Sequence, residues 1–173
     1  MYRRATISKD QELTAQNFPV RLLIYDFYQD DPRKCTSAKL RKFRYARPIF
    51  HLSKIPRNAI VLNPASQEIL LPRDRVAVQQ YGLVGLDCSW KKSEEMFARK
   101  FSGENRRLPP LLAGNPTNYG TLGMLSTVEA LSSALIIIGF KKEAEKILSL
   151  FNWGSTFLSL NEEPLKSYSN PDS

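Results

Sequence analysis

The architecture of this chain depends on residues 107–129, which read RLPPLLAGNPTNYGTLGMLSTVE. This segment begins with an apolar patch of Leu108, Leu111 and Leu112. A run rich in glycine, asparagine and proline follows, with Gly114, Asn115, Pro116, Asn118, Tyr119, Gly120 and Gly123, and then a helix begins. Glycine permits backbone conformations that other residues forbid, and proline stiffens the chain. A long, restricted loop inside a compact domain is usually functional. A structural crossover with nothing bound explains the same pattern.

Strands alternate with helices on both sides of this loop. Clusters of β-forming residues predict strands at 19–28, 59–63 and 84–88, and apolar periodicity predicts helices at 36–46, 74–80, 91–101 and 141–151. Ser126 and Glu129 have the spacing of a capping box, which predicts a buried helix that continues to Ile138 and ends at Gly139. The alternation predicts an α/β fold with parallel character.

Composition excludes several classes of protein. No apolar run reaches the roughly 18 residues that a transmembrane helix needs, and no secretory signal follows the first residues. We therefore expect a cytoplasmic protein without a membrane partner. The two cysteines, Cys35 and Cys88, and the single histidine, His51, do not have the spacing of a zinc site, so no metal is predicted.

The positive charge is concentrated in one part of the chain. Lys and Arg number 25 against 17 Asp and Glu, and residues 33–57 contain nine basic residues and no acidic one. Aromatic residues alternate with these basic ones, which is typical of a surface that contacts RNA phosphates and bases. The predicted RNA-binding residues are Arg33, Lys34, Lys39, Arg41, Lys42, Arg44 and Arg47. The alternative is a basic surface that only favours solubility.

The loops that follow the predicted strands carry the candidate chemistry, because such loops converge on the ligand crevice of an α/β fold. None of them contains a dinucleotide fingerprint, a Walker A loop or a nucleophile elbow. Asp87 and Trp90 follow one strand, where they could bind a cation or simply cap a helix and fill the core. Thr36 and Thr127 stand at helix starts, which attract carboxylates or serve only as caps. A cofactor with an adenosyl group, a carboxylate and a sulfonium suits such a pocket.

Five blocks carry a resemblance to a known family. They are DDPRKCTSAKL (30–40), LLPRD (70–74), GLDCSW (85–90), LPPLLAGNPTNYG (108–120) and LSTVEALSSAL (125–135). Together, and in this order, they resemble the ribosome-biogenesis aminocarboxypropyltransferases, which modify small-subunit ribosomal RNA. The first block alone also resembles part of the ribosome-recycling ABC ATPase. The resemblance covers about residues 20–165, nearly the whole chain.

The resemblance implies a fold and a reaction. Residues 76–173 would form a SPOUT-like domain with a deep trefoil knot that binds S-adenosylmethionine, and residues 1–75 a smaller α/β domain that carries the RNA-binding face. The reaction would transfer the 3-amino-3-carboxypropyl group to a ring nitrogen of a methylated pseudouridine in small-subunit ribosomal RNA, free or in a pre-ribosomal subunit. Methylthioadenosine would be released. We expect the protein to act as a monomer.

The resemblance also implies which residues bind the cofactor: Thr36, Leu62, Pro64, Leu86, Asp87, Trp90, Leu108, Gly123 and Thr127. Thr36 and Thr127 would hold the methionine carboxylate, and the backbone of Leu86 would contact the ribose. Leu62, Pro64, Trp90 and Leu108 would line the adenine and methylthio pocket.

Asp87 and Gly123 would lie at the reactive end of the cofactor. Asp87 would lie near the sulfonium and the amino group and would either position the cofactor or act as a base. The carbonyl of Gly123 would accept from the amino group, although relatives often have an aromatic residue there. Asn115, Asn118 and Tyr119 would maintain the shape of the loop.

Two alternatives remain at this point. One is an RNA methyltransferase of the SPOUT class, which uses the same cofactor at another carbon. The other is a non-catalytic RNA-binding factor of ribosome assembly, for which the basic segment 33–57 would be sufficient.

Overall fold

A parallel β-sheet forms the centre of the structure, a computed structural model that describes residues 12–28 and 35–172. The strands are β1 (Leu22–Asp26), β2 (Ala46–Ile49), β3 (Ile60–Leu62), β4 (Leu83–Asp87) and β5 (Glu104–Arg106). Their order across the sheet is β2-β1-β4-β3-β5, and every neighbouring pair is parallel. Parallel strands require crossover connections, which explains the alternation of strands and helices along the chain.

Seven helices surround the sheet in the described part of the chain. They are α1 (Thr36–Lys42), α2 (Arg75–Tyr81), α3 (Ser93–Phe97), α4 (Thr127–Ile137), α5 (Lys141–Leu148), α6 (Gly154–Leu160) and α7 (Glu162–Tyr168), with 3-10 turns at Leu52–Lys54, Pro72–Asp74 and Trp90–Lys92. Within the described ranges, no helix combines the length and the apolar character that crossing a membrane requires.

Apolar side chains cover both faces of the sheet, as a parallel sheet requires. On one face, Leu22 and Ile24 of β1 join a core with the buried side of α4. On the other face, Leu23 of β1 and Val84 of β4 pack with Phe97 and other residues near β5. Alternate residues of one strand thus point to opposite cores.

The first turn of α4 lies close against β4. A Cβ atom at Gly85 would lie 3.3 Å from Cγ2 of Thr127 and 3.4 Å from Cδ2 of Leu131. The small residue in the middle of β4 therefore lets the start of α4 approach the strand, which places Thr127 near the carboxyl end of the sheet. The predicted capping box is present, since Ser126 accepts from the N–H of Glu129 and Glu129 accepts from the N–H of Ser126.

Two strands were not expected from the sequence. Helix α1 was predicted to continue to residue 46, but it ends at Lys42, Arg44 has a φ of 63°, and β2 begins at Ala46. Both β2 and β5 lie at the edges of the sheet, where one side of a strand remains unpaired. An edge strand tolerates polar residues and proline, so neither ARPI nor ENR has the pattern of a buried strand.

The prediction of a SPOUT-like C-terminal domain with a deep trefoil knot is corrected by this architecture. Residues 76–173 contribute β4 and β5, and β4 pairs on both sides with β1 and β3 from the first part of the chain. The described strands thus form one α/β sheet. The division of the chain at residue 75 stays a prediction, and strands from both sides of it lie in that sheet.

Candidate functional site

A large cavity lies at the carboxyl ends of β3 and β4. Its volume is about 1540 Å³, and it is bounded by the starts of α1 and α4, by the turn after β4, and by the loop 108–126. All nine predicted cofactor-binding residues line it: Thr36, Leu62, Pro64, Leu86, Asp87, Trp90, Leu108, Gly123 and Thr127. The fold therefore brings these residues together, and their binding roles stay a prediction.

Two helix starts meet at one end of this cavity. The Oγ1 atom of Thr36, the first residue of α1, accepts a hydrogen bond from the backbone N–H of Val128 at 3.1 Å. The neighbouring N–H of Thr127 has no hydrogen-bond acceptor among the described residues. A free N–H at the start of α4 is suited to a carboxylate or phosphate, because the helix dipole also favours an anion there. The sequence left open that Thr36 caps its own helix. In the structure its side chain instead joins α1 to α4.

Asp87 supplies a carboxylate beside the start of α1. It ends β4, and its side chain is 8% exposed. Its Oδ2 atom accepts hydrogen bonds from the hydroxyl of Ser37 and from the thiol of Cys35, the latter at 2.8 Å. Among the described residues, no hydrogen-bond donor reaches Oδ1. The two donors hold the carboxylate in one orientation.

The Cys35 thiol is kept protonated by this arrangement. Burial, the charge of Asp87 and the hydrogen bond to it raise the pKa of Cys35 to about 11. Since the thiolate is the reactive form, the folded protein should contain little reactive Cys35 at pH 9.

Alkylation of a Cys88→Ser variant tests this protonation state. Iodoacetamide should modify Cys35 at pH 9 about fifty-fold more slowly in the folded chain than in urea, since only about 1% is thiolate. The rate should rise with pH to a midpoint near 11, and an added Asp87→Asn change should lower that midpoint. A midpoint near 9 in the folded Cys88→Ser protein would contradict the burial of this thiol beside the Asp87 carboxylate. The midpoint is independent of how accessible the thiol is.

One group of side chains has the spacing of a possible metal site. It consists of the carboxylates of Asp26 and Asp87 and the thiol of Cys35, whose ligand atoms all lie within 4.8 Å of one another. Hydrogen bonds or an ion pair already engage Oδ2 of Asp87, the thiol of Cys35 and both oxygens of Asp26. Arg41 lies 3.3 Å from Oδ2 of Asp26, and the N–H of Tyr28 donates to Oδ1 at 2.6 Å.

A buried carboxylate organises the loop that covers the cavity. Glu129 is fully buried and accepts hydrogen bonds from the N–H groups of Gly114 at 2.6 Å and Asn115 at 3.0 Å. It also accepts from Nδ2 of Asn115 and from the N–H of Ser126, both at 2.7 Å. One side chain thus binds both ends of the segment 114–126. Asn115 in turn accepts from the N–H of Asn118 at 3.0 Å, whereas Tyr119 is 62% exposed.

The same loop is connected to the apolar wall of the cavity. The indole N–H of Trp90 donates to the carbonyl of Leu125 at 3.1 Å, and the ring lies 5.8 Å from that of Phe97. Gly123 has a φ of 77°, and its N–H donates to the carbonyl of Leu111 at 2.8 Å. An aromatic side chain at position 123 would find open space but a backbone conformation that glycine adopts more easily.

The predicted RNA-binding residues that the structure describes lie on more than one element. Lys39 and Lys42 line the cavity, as do Lys91, Lys92 and Arg107. Arg41 pairs with Asp26, Arg44 is exposed in the turn after α1, and Arg47 lies in β2. Arg33 and Lys34 lie outside the described residues. The cavity is therefore basic on several sides, which suits a polyanion next to the site.

Three site residues were missed or only partly understood from the sequence. Cys35 and Ser37 flank Thr36, but the contact with Asp87 spans 52 and 50 positions of chain and leaves no local pattern. Glu129 was recognised as a helix cap, and its bonds to Gly114 and Asn115 were not foreseen. The sequence signal for these two hydrogen bonds of Glu129 is an acidic residue in an otherwise apolar helix that follows a glycine-rich loop.

Two protein-family models match different parts of the chain. A family model described as "Ribosome biogenesis protein, C-terminal" matches residues 60–173. A second model, "Possible Fer4-like domain in RNase L inhibitor, RLI", matches residues 20–49. That segment contains a single cysteine, Cys35, so it cannot by itself supply the four thiolates of an iron–sulfur cluster.

Two curated relatives carry the same name. The "16S rRNA aminocarboxypropyltransferase" of Methanosarcina mazei is 45% identical over 152 residues, which cover 87% of this chain and 86% of the relative. The protein of the same name from Methanocaldococcus jannaschii is 46% identical over 151 residues and covers 87% of both chains.

A solved structure matches the fold. It is that of the SAM-dependent rRNA:acp-transferase Tsr3 from Vulcanisaeta distributa, and its TM-score is 0.84 at 41% sequence identity. The match covers 87% of this chain and 83% of that chain. The match supports an α/β fold with one five-stranded parallel sheet, and the SPOUT-like knotted domain is not retained.

Proposed function

Because the chain belongs to the family of the 16S rRNA aminocarboxypropyltransferases, we propose that it modifies a pseudouridine of small-subunit ribosomal RNA during ribosome biogenesis. The enzyme is an S-adenosylmethionine-dependent rRNA aminocarboxypropyltransferase. The acceptor is a ring nitrogen of a methylated pseudouridine, and the other product is methylthioadenosine. The observation that carries the proposal is the cavity that unites all nine predicted cofactor residues.

The charges in the cavity complement those of the cofactor. S-adenosylmethionine carries a carboxylate, an ammonium and a sulfonium within one short chain. The carboxylate is assigned to the free N–H of Thr127 at the start of α4, and the two cationic groups to the open Oδ1 of Asp87. The apolar residues Leu62, Pro64, Trp90 and Leu108 form the wall for the adenine and the methyl group.

Selection of the transferred group depends on position. The sulfonium activates three carbons, and the one that faces the RNA nitrogen reacts. In the proposed reaction a carbon–nitrogen bond forms, the bond from sulfur to the aminocarboxypropyl carbon breaks, and its electron pair remains on sulfur. The proton of the ring nitrogen leaves to water or to Asp87. The methyl group is protected when the walls of the cavity cover it.

Label transfer tests the function directly. S-adenosylmethionine labelled in the carboxyl carbon should label small-subunit RNA, whereas cofactor labelled in the methyl group should leave the RNA unlabelled. Methyl label in the RNA would establish a methyltransferase, and no label from either cofactor would leave an RNA-binding assembly factor. A Trp90→Ala protein serves as the control, because it removes part of the cavity wall and should transfer neither label efficiently.

We propose that the enzyme acts in the cytoplasm as a monomer, on ribosomal RNA or on a pre-ribosomal subunit. The five basic residues at the cavity, Lys39, Lys42, Lys91, Lys92 and Arg107, support an RNA substrate there.

A further inference from the structure

We propose that a second groove, at the β2 edge of the sheet, binds a single-stranded segment of the RNA substrate beside the target nucleotide. The groove has a volume of about 550 Å³ and shares no lining residue with the cofactor cavity. The proposal rests on the proposed function in one respect, namely that the substrate is ribosomal RNA.

The groove is basic, and no acidic residue of the described chain lines it. Its basic residues are Arg21, Arg47, His51 and Lys54. Arg21 donates to the carbonyl of Tyr81 at 2.8 Å. Arg47 and Lys54 are exposed, and within the described ranges neither has an acidic partner. Unpaired cations around a concave surface attract phosphate groups.

An exposed aromatic ring lies in the same groove. Phe50 directly follows β2 and is 64% exposed, although a phenylalanine is usually buried. Bases of single-stranded RNA stack on such rings whatever their sequence, whereas the bases of a duplex are already stacked. The combination of Phe50 with Arg47 and Lys54 therefore favours a single strand.

The edge itself is poorly suited to a protein strand. Pro48 lies in β2 and has no N–H to donate, and the neighbouring Arg47 is charged and exposed. Proline and charge on an edge strand oppose pairing with another chain. The groove is therefore open to a ligand that binds through phosphates and bases rather than through backbone hydrogen bonds.

The basic segment 33–57 is thus divided between two places. Lys39 and Lys42 lie at the cofactor cavity, where the target nucleotide has to enter. Arg47, His51 and Lys54 lie at the groove, where flanking nucleotides would bind. Two separate contacts would orient the RNA strand before the reaction.

Charge reversal in the groove tests the proposal. An Arg47→Glu/Lys54→Glu protein should bind a single-stranded fragment of small-subunit RNA about tenfold or more weakly in fluorescence anisotropy. The slope of log K against log salt should fall by about 0.7 for each RNA phosphate that the protein no longer neutralises. Phe50→Ala should weaken binding roughly 5- to 100-fold with little change of the salt slope. The affinity for S-adenosylmethionine, measured by calorimetry, should not change.

A matched control changes the same amount of charge elsewhere. Lys142→Glu/Lys166→Glu reverses two exposed lysines on α5 and α7, outside both the cavity and the groove. Equal RNA affinity of the groove and control variants would overturn the proposal. Tighter binding of a duplex RNA of the same sequence than of the single strand, with no effect of Phe50→Ala on either, would overturn the single-strand assignment.

Failure of the groove is distinguishable from failure of the proposed function. If the wild-type protein transfers no carboxyl label but the groove variants still lose RNA affinity, RNA binding at the groove is supported and the proposed reaction is contradicted. If carboxyl label is transferred and the groove variants bind RNA like the control variant, the proposed reaction is supported and RNA binding at the groove is contradicted.

Discussion

Replacing Glu129 by alanine is expected to lower the free energy of unfolding by about 3–5 kcal/mol and to remove measurable binding of S-adenosylmethionine. The change leaves four donors without their acceptor in a buried place: the N–H groups of Gly114, Asn115 and Ser126 and the amide of Asn115. A buried donor without a partner costs about 1–3 kcal/mol, and partial relaxation prevents the four costs from adding fully.

The loss of cofactor binding follows from the position of these donors. They lie at both ends of the segment 114–126, which contains Gly123 and carries the carbonyl of Leu125 that holds the Trp90 ring. Without Glu129 the segment would lose both attachments, and the wall of the cavity would lose its shape. Urea unfolding and calorimetric titration with the cofactor measure the two effects.

Two further variants separate the loop from the helix. Ser133→Ala removes a hydrogen bond one turn later in α4, where Ser133 donates to the carbonyl of Glu129 at 2.7 Å, and it should leave cofactor affinity unchanged. Glu129→Gln keeps the shape but turns an NH₂ group toward N–H donors, so it should also bind the cofactor poorly. Wild-type affinity of Glu129→Ala under conditions in which it is folded would show that the carboxylate does not hold the loop.

The interior of the sheet could be predicted from the sequence, and its edges could not. Strands β1, β3 and β4 are short apolar runs because both of their faces are buried. The edge strands lack this signal, since β2 contains Arg47 and Pro48 and β5 reads Glu-Asn-Arg. Their pairing depends on the free backbone groups of β1 and β3, which are far away in the sequence.

The candidate site was predictable where local rules act. The capping box indicated the start of α4, and the carboxyl ends of β3 and β4 indicated where a ligand would lie. Contacts such as Cys35–Asp87 depend on the start of α1 lying beside the end of β4, and no spacing encodes them. The knotted domain followed from resemblance alone, and the pairing of β4 with β1 and β3 corrects it.

Replacing Asp87 by asparagine is expected to weaken the binding of S-adenosylmethionine about 10- to 100-fold, because a hydrogen bond to a charged group contributes about 1.5–3 kcal/mol. The change should leave kcat within a few fold. The positive charge on sulfur disappears as the carbon–sulfur bond breaks, so a nearby carboxylate stabilises the bound cofactor at least as much as the transition state. Interactions of that kind affect KM rather than kcat.

Asp26→Asn is the matched control. Asp26 is the neighbour of Asp87 in the register of β1 and β4, and it pairs with Arg41 but does not line the cavity. Its loss should leave cofactor affinity unchanged. Ser37→Ala, which removes one donor to Asp87, should give a smaller loss of affinity than Asp87→Asn because the carboxylate remains.

The pH dependence of Asp87→Asn separates positioning from base catalysis. If Asp87 removed the proton of the ring nitrogen, kcat at saturating cofactor would fall and would recover as rising pH ionised the RNA base without help. If Asp87 only positions the cofactor, no such recovery is expected. The loss of cofactor affinity is then overcome by a higher concentration of S-adenosylmethionine and is not changed by raising the pH. Single-turnover transfer to RNA over a range of pH, with saturating S-adenosylmethionine, measures the difference. A large fall of kcat that high pH restores would therefore assign Asp87 to proton removal and contradict the positioning role.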